Sequence, residues 1–109
     1  MKFKWLDTGQ VDSFAQWVIV EVVRRLPPAS LGPADKKLGE RLHRMNEAVS
    51  ERATALAFGE RLNFYKRARL ANQVKWGLKE AGYPDAFVEA FTYELATLIT
   101  VASRRRSVA

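Results

Sequence analysis

Apolar residues recur at helical spacing along most of this chain. Val11, Phe14, Ala15, Val18, Val22 and Leu26 return to one side of a helix turning by ~100° per residue, and Trp17, Ile19, Val20 and Val23 widen that side. The β-branched run from Val18 to Val23 lowers helix propensity and makes residues 17–23 a strand alternative. The spacing decides for a helix over about 11–26, with Asp12 or Ser13 as its cap. Pro27 and Pro28 end it, because proline lacks the amide and clashes with the preceding turn.

A linker, residues 27–35, leads into a second helix over about 34–57, with Pro33 at its entry and Asp35 near its positive end. Leu42, Met45, Val49 and Leu56 fall within roughly 40° of Leu38, the cleanest amphipathic stripe in the chain. Lys37, Arg41 and Arg44 form a second stripe beside it, and Glu40, Glu47 and Glu51 a third. Gly59 marks a break, since Phe58 and Leu62 fall about 120–160° from the Leu38 stripe if the helix is carried straight through. The rival is one unbroken helix over 34–81, which would suit an extended dimer, because Leu70, Val74 and Leu78 return to the original phase.

The third helix is predicted over about 60–81, with Leu70, Ala71, Val74, Leu78 and Ala81 as its core face and Leu62, Tyr65 and Trp76 nearly opposite. Gly82 ends it in the left-handed position that favours glycine. A fourth runs from Pro84–Asp85 to about Ser103 on Phe87, Val88, Phe91, Leu95, Leu98, Ile99 and Ala102, followed by a basic tail over 104–109. Residues 1–9 read as an arm anchored by Phe3, Trp5 and Leu6. The expected architecture is all-α: a small bundle of about four helices with a short N-terminal arm, one domain over 1–109.

Composition narrows the class. The 109 residues allow one domain, and 48% hydrophobic with 28% charged residues is a globular balance, not that of a disordered chain. The absence of cysteine excludes a disulfide scaffold, a thiol nucleophile and a thiolate metal site. Asp7 and Asp12 interrupt any N-terminal apolar segment, so no signal peptide is expected. The run Trp17–Val20 is far short of the roughly 20 residues that cross a bilayer, so no transmembrane segment is expected either, and a cytoplasmic setting fits.

Charge then points to partners. The chain carries a net +6, which favours an anionic partner: nucleic acid, an acidic protein or a lipid surface. Residues 60–82 hold six basic and two acidic side chains, a net +4. There Arg61, Tyr65, Arg69, Asn72, Trp76 and Lys79 share one helical face, and Lys66, Arg67 and Lys75 broaden the field. Cations neutralise phosphates, rings stack on unpaired bases, and an amide reads a base edge or braces the backbone. This assigns Arg61, Tyr65, Lys66, Arg67, Arg69, Asn72, Trp76 and Lys79 as a nucleic-acid-binding face for DNA or RNA. The alternative is a helical protein-interaction or assembly module, with Tyr65 and Trp76 packed on helix 1, on an acidic protein partner or on a second copy in a dimer.

Catalytic chemistry finds little support. His43, the only imidazole, stands three and four residues from Glu40 and Glu47, a neighbourhood that satisfies a protonated ring in solvent. Glu40-x-x-His43 has the spacing of helical di-metal sites, but these need a second such motif facing inward. No catalytic residue, metal or cofactor is assigned, and a non-enzyme is expected. The turn Ala81–Asp85, read as a helix-turn-helix, would place the acidic, apolar start of helix 4 in a groove, a poor fit. The likeness of residues 38–42 to 58–62 is too short for a repeat.

Overall fold

The apolar spacing closes into helices close to where it predicts them. A computed structural model describes residues 8–30, 36–59 and 61–108. In order these form α1 (Gly9–Arg25), a 3-10 turn (Pro28–Ser30), α2 (Lys36–Gly59), α3 (Phe64–Glu80) and α4 (Asp85–Val108). The fold is an all-α four-helix bundle, and no strand forms among the described residues. The 17–23 segment is helix, and the chain leaves the helical conformation at 61–63, so the single helix over 34–81 does not form. The expected arm falls largely, and Pro33 and Asp35 fall entirely, outside the described residues.

The helix ends follow local chemistry. Thr8, not Asp12 or Ser13, precedes α1; Asp12 lies in the first turn, where it accepts from the Thr8 hydroxyl at 2.9 Å. Asn63 caps α3 by accepting from the Lys66 amide at 2.8 Å, which starts that helix four residues later than predicted. At the far end Gly82 takes φ +98°, its amide donates to the Lys79 carbonyl, and the Tyr83 amide donates to that of Leu78. This paired closure satisfies carbonyls that the helix leaves open. α4 continues five residues past the expected stop at Ser103, so Arg104, Arg105 and Arg106 are helical rather than a frayed tail. Arginine is a good helix former and suits the negative end of the helix dipole.

Directions follow from side-chain partners. Asp12 meets Arg69, and Ile19 lies against Gly77, so numbers rise together and α1 runs parallel to α3. Phe14 lies near Leu56 while Trp17 meets Arg52, whose guanidinium sits 4.5 Å over the indole; α1 and α2 are therefore antiparallel. The tight Gly82 turn reverses α4 against α3. It follows that α2 and α4 run parallel. α1 packs on α2 and α3, and α4 packs on the same two, so the α2–α3 connection crosses the bundle diagonally.

The core takes the predicted stripes: Val11, Phe14, Val18, Val22 and Leu26; Met45, Val49 and Leu56; Leu70, Val74 and Leu78; Val88, Phe91, Leu95, Ile99 and Ala102. Leu62, expected on the outer side of helix 3, is buried because it precedes that helix and turns inward from the connection. Asp85–Arg105 of α4 is long and apolar enough by composition to cross a membrane, which the sequence reading did not anticipate. Of it, Val88, Phe91, Leu95, Ile99 and Ala102 face the core, 28% of the segment is buried, and Tyr93, Glu89 and Glu94 are exposed.

Tyr83 clasps the end of α1. It is 4% exposed, and its hydroxyl lies within hydrogen-bonding distance of the Val22 carbonyl, at 3.1 Å, and that of Leu26. Pro27 and Pro28 bring no amide to the Val23 and Arg24 carbonyls. At this donor-poor end the Tyr83 hydroxyl reaches their neighbours, Leu26 and Val22, the latter also accepting from the Leu26 amide. The ring stacks on Phe87, and Phe87 on Phe91, at centroid separations of 5.1 and 6.0 Å. Tyr83→Phe is expected to lower stability by about 1–3 kcal/mol, read by urea unfolding. Burial also raises the phenol above its usual 10.0. A raised native value means that stability is intact below pH 10.0 and lost as pH rises through the native value, an alkaline step the phenylalanine variant should lack. Identical unfolding midpoints and identical alkaline limbs would remove the clasp.

Candidate functional site

Helices α1 and α3 approach closely because Gly77 has no side chain. A β-carbon there would overlap Ile19 Cδ1. Around this contact an open groove of about 710 Å³ runs between the two helices. Gln16 and Ile19 form the α1 wall, and Tyr65, Arg69, Asn72, Gln73 and Trp76 line the α3 side. Tyr65 is 43% exposed and Trp76 53% exposed, large values for rings in a chain with a filled core. The Lys75 and Lys79 ammonium groups lie 5.7 and 5.0 Å from the Trp76 ring centre, within cation–π range.

One polar network crosses the groove. Arg69 Nε donates to Asp12 Oδ1 at 2.8 Å, and Nη2 donates to Oδ2 at 3.3 Å. Thr8 donates to the same carboxylate, and Gln73 and Tyr65 stand beside the pair. The Arg69 guanidinium is the main reason that Asp12 sits below the usual carboxylate range, against a smaller opposing effect of burial; Asp12 in turn raises Arg69. Arg69 is thus a tethered cation, half of whose valence for an outside anion is already taken.

The predicted face is brought together in part. Tyr65, Arg69, Asn72 and Trp76 do share the groove, and Lys79 covers the indole. Arg61 is exposed but stands in the connection, off the helix, because α3 begins at Phe64. Lys66 does not face outward. It is 4% exposed and continues the inward stripe of Leu70, Val74 and Leu78 at four-residue steps. Arg67 is half-buried, and its Nε is shielded from solvent with no hydrogen-bond partner. The face therefore presents fewer cations than its composition promises.

Sequence reasoning missed Gln16, Ile19, Gln73 and Gly77. A glycine inside a helix costs about 1 kcal/mol relative to alanine, which is a signal of close helix approach. The α1 wall had no such signal, since it depends on the parallel register. His43 pairs with Glu47 at 2.7 Å, both exposed, as local helix spacing dictates.

The Asp12–Arg69 pair has a pH signature. A depressed native value means that its contribution is present above the ordinary 3.8 and is lost as pH falls through the native value. Asp12→Asn should have a lower thermal midpoint than the parent at neutral pH, with the gap closing as acid protonates Asp12. Glu21, lowered first by Arg25 and then by Arg24, titrates in both proteins, so the difference between the curves isolates Asp12. A gap that stays constant from neutral to strongly acidic pH would exclude this coupling. No protein-family model, curated protein or solved structure matches the chain.

Proposed function

We propose that this four-helix module is a non-catalytic protein-interaction domain that takes an acidic, partly apolar helical segment of a partner into the α1–α3 groove. The observation that carries this reading is the half-exposed Trp76 ring beside Tyr65 on the rim of an open groove. Tryptophan, tyrosine and arginine dominate binding energy at protein interfaces. A groove between two helices with an apolar floor, here Ile19 against Gly77, suits the helix-in-groove mode of recognition. Lys75 and Lys79 supply the field that an acidic segment complements. The net +6 disfavours pairing two copies through so basic a face.

Nucleic acid is the competing ligand. Arg61 and Asn72 are exposed beside the two rings, which keeps that reading physical. It loses weight because Arg69 is held by Asp12 and Lys66 is turned into the core. The discriminating experiment titrates labelled acidic amphipathic peptides, duplex DNA, single-stranded DNA and RNA against the protein at two salt levels. The proposal expects peptide binding that falls by about tenfold or more in Trp76→Ala, as for an interface anchor. Nucleic-acid binding with a steep salt slope, weakened by Arg61→Ala and Lys79→Ala while peptides fail to bind, would overturn it.

A further inference from the structure

A second surface lies at the end of the bundle where α2 passes into α3. Because α2 and α4 run parallel, both finish at this end, beside the starts of α1 and α3. Phe58 and Phe64 flank the connection and are 50% and 79% exposed. Arg61 stands between them, and Arg104 and Arg105 occupy the last turns of α4; all three are exposed. Among the described residues within about one and a half turns of this end, Asp12 is the sole carboxylate, and Arg69 already holds it. Glu51 and Glu94 stand roughly 10 and 15 Å further back along their helices, at 1.5 Å per residue. The opposite end mixes exposed Glu80, Asp85 and Glu89 with exposed Arg24 and Arg41. The α2–α3 end thus combines unmatched arginines with exposed phenyl rings.

We propose that this positive end docks on an anionic lipid surface. Phe58 and Phe64 enter the boundary between headgroups and acyl chains, and Arg61, Arg104 and Arg105 meet the phosphates. Apolar rings beside basic groups are the combination that binds such interfaces, through buried apolar area and attraction to anionic lipid. Phenylalanine brings no polar group with which to read a base edge. The end of a bundle is convex and meets a plane at several points at once, whereas sites that track a nucleic-acid strand are grooves. Charge complementarity therefore selects the membrane surface over a strand. The docking is peripheral and does not involve the α1–α3 groove.

The test is co-sedimentation of the full chain with vesicles of phosphatidylcholine alone and of phosphatidylcholine with phosphatidylserine, at low and physiological salt. Binding is expected to the serine-containing vesicles and to weaken with salt. Each arginine replaced by alanine should lower partitioning by about fivefold. Phe64→Ala should lower it as well, while Phe64→Trp should preserve it, which separates ring insertion from charge alone. Trp76→Ala should leave vesicle binding unchanged, so failure here and failure of the groove reading are told apart. Absence of binding to phosphatidylserine vesicles, or binding unaltered in both the Arg61/Arg104/Arg105 triple variant and Phe64→Ala, overturns the proposal. Capture of single-stranded DNA through the same residues, with vesicles left unbound, overturns it too.

Discussion

Ile19 rests on Gly77, where an added β-carbon would force the isoleucine side chain to shift, and this is a close approach of α1 to α3. The pairing is parallel, so it is made by helices that are not consecutive in the chain, and α2 has to return between them. Contacts at three levels hold the register: Asp12 with Arg69 near the start, Ile19 with Gly77 in the middle, and Tyr83 on the last carbonyls of α1. Each depends on the others. A shift of α3 by one turn would separate the carboxylate from its guanidinium and leave the proline-terminated end of α1 without the Tyr83 hydroxyl. The α1–α3 groove is lined by this contact, with Ile19 and Gly77 among its walls.

The helices themselves were legible in the sequence because burial on one side leaves a 3.6-residue trace. Val11 to Leu26 and Val88 to Ala102 carry that trace and are buried as it predicts. Gly82 was legible for a different reason: a glycine just past a periodic segment, followed by proline, is a local signal that needs no partner. The helix starts were less clear. Asp12 looks like a cap, yet its carboxylate faces a residue 57 positions away, which no local rule detects. Lys66 was read by its charge, although its place four residues before Leu70 put it on the core stripe; position outweighed residue type. The groove was half legible. Its α3 side is one helix face, whereas its α1 wall required knowing which helices are neighbours and in what direction they run.

Electrostatics are reorganised by the fold in a way that composition conceals. The excess of cations over 60–82 suggests one broad positive face. Folding divides it. Lys66 turns inward, Arg69 is matched by Asp12, and Lys75 and Lys79 lie against an indole. Arg61 separates from the helix and joins Arg104 and Arg105 at one end, an association between residues about 40 positions apart that arises only because α2 and α4 finish together. A net charge thus becomes a modest, ring-centred field along the groove and a separate arginine cluster at the end where α2 and α4 finish.

The exposed rings are not an error that the bundle could relieve by turning. Tyr65 and Trp76 stand about 120–140° around α3 from Leu70, and Phe64 stands about 120° the other way. Rotating α3 to cover either side would bring Leu70, Val74 and Leu78 out of the core, three well-buried residues for one or two half-covered rings. Each such aliphatic side chain is worth about 1.5–3 kcal/mol when fully buried, so the present orientation wins. The same reasoning holds α2 in place, with Met45 and Val49 inward and Phe58 beyond the end of that stripe. Aromatic area that the fold cannot hide without losing its core is area that another surface can cover at little structural cost to the bundle, and among the described residues the groove rim and the α2–α3 end present it in different charge settings.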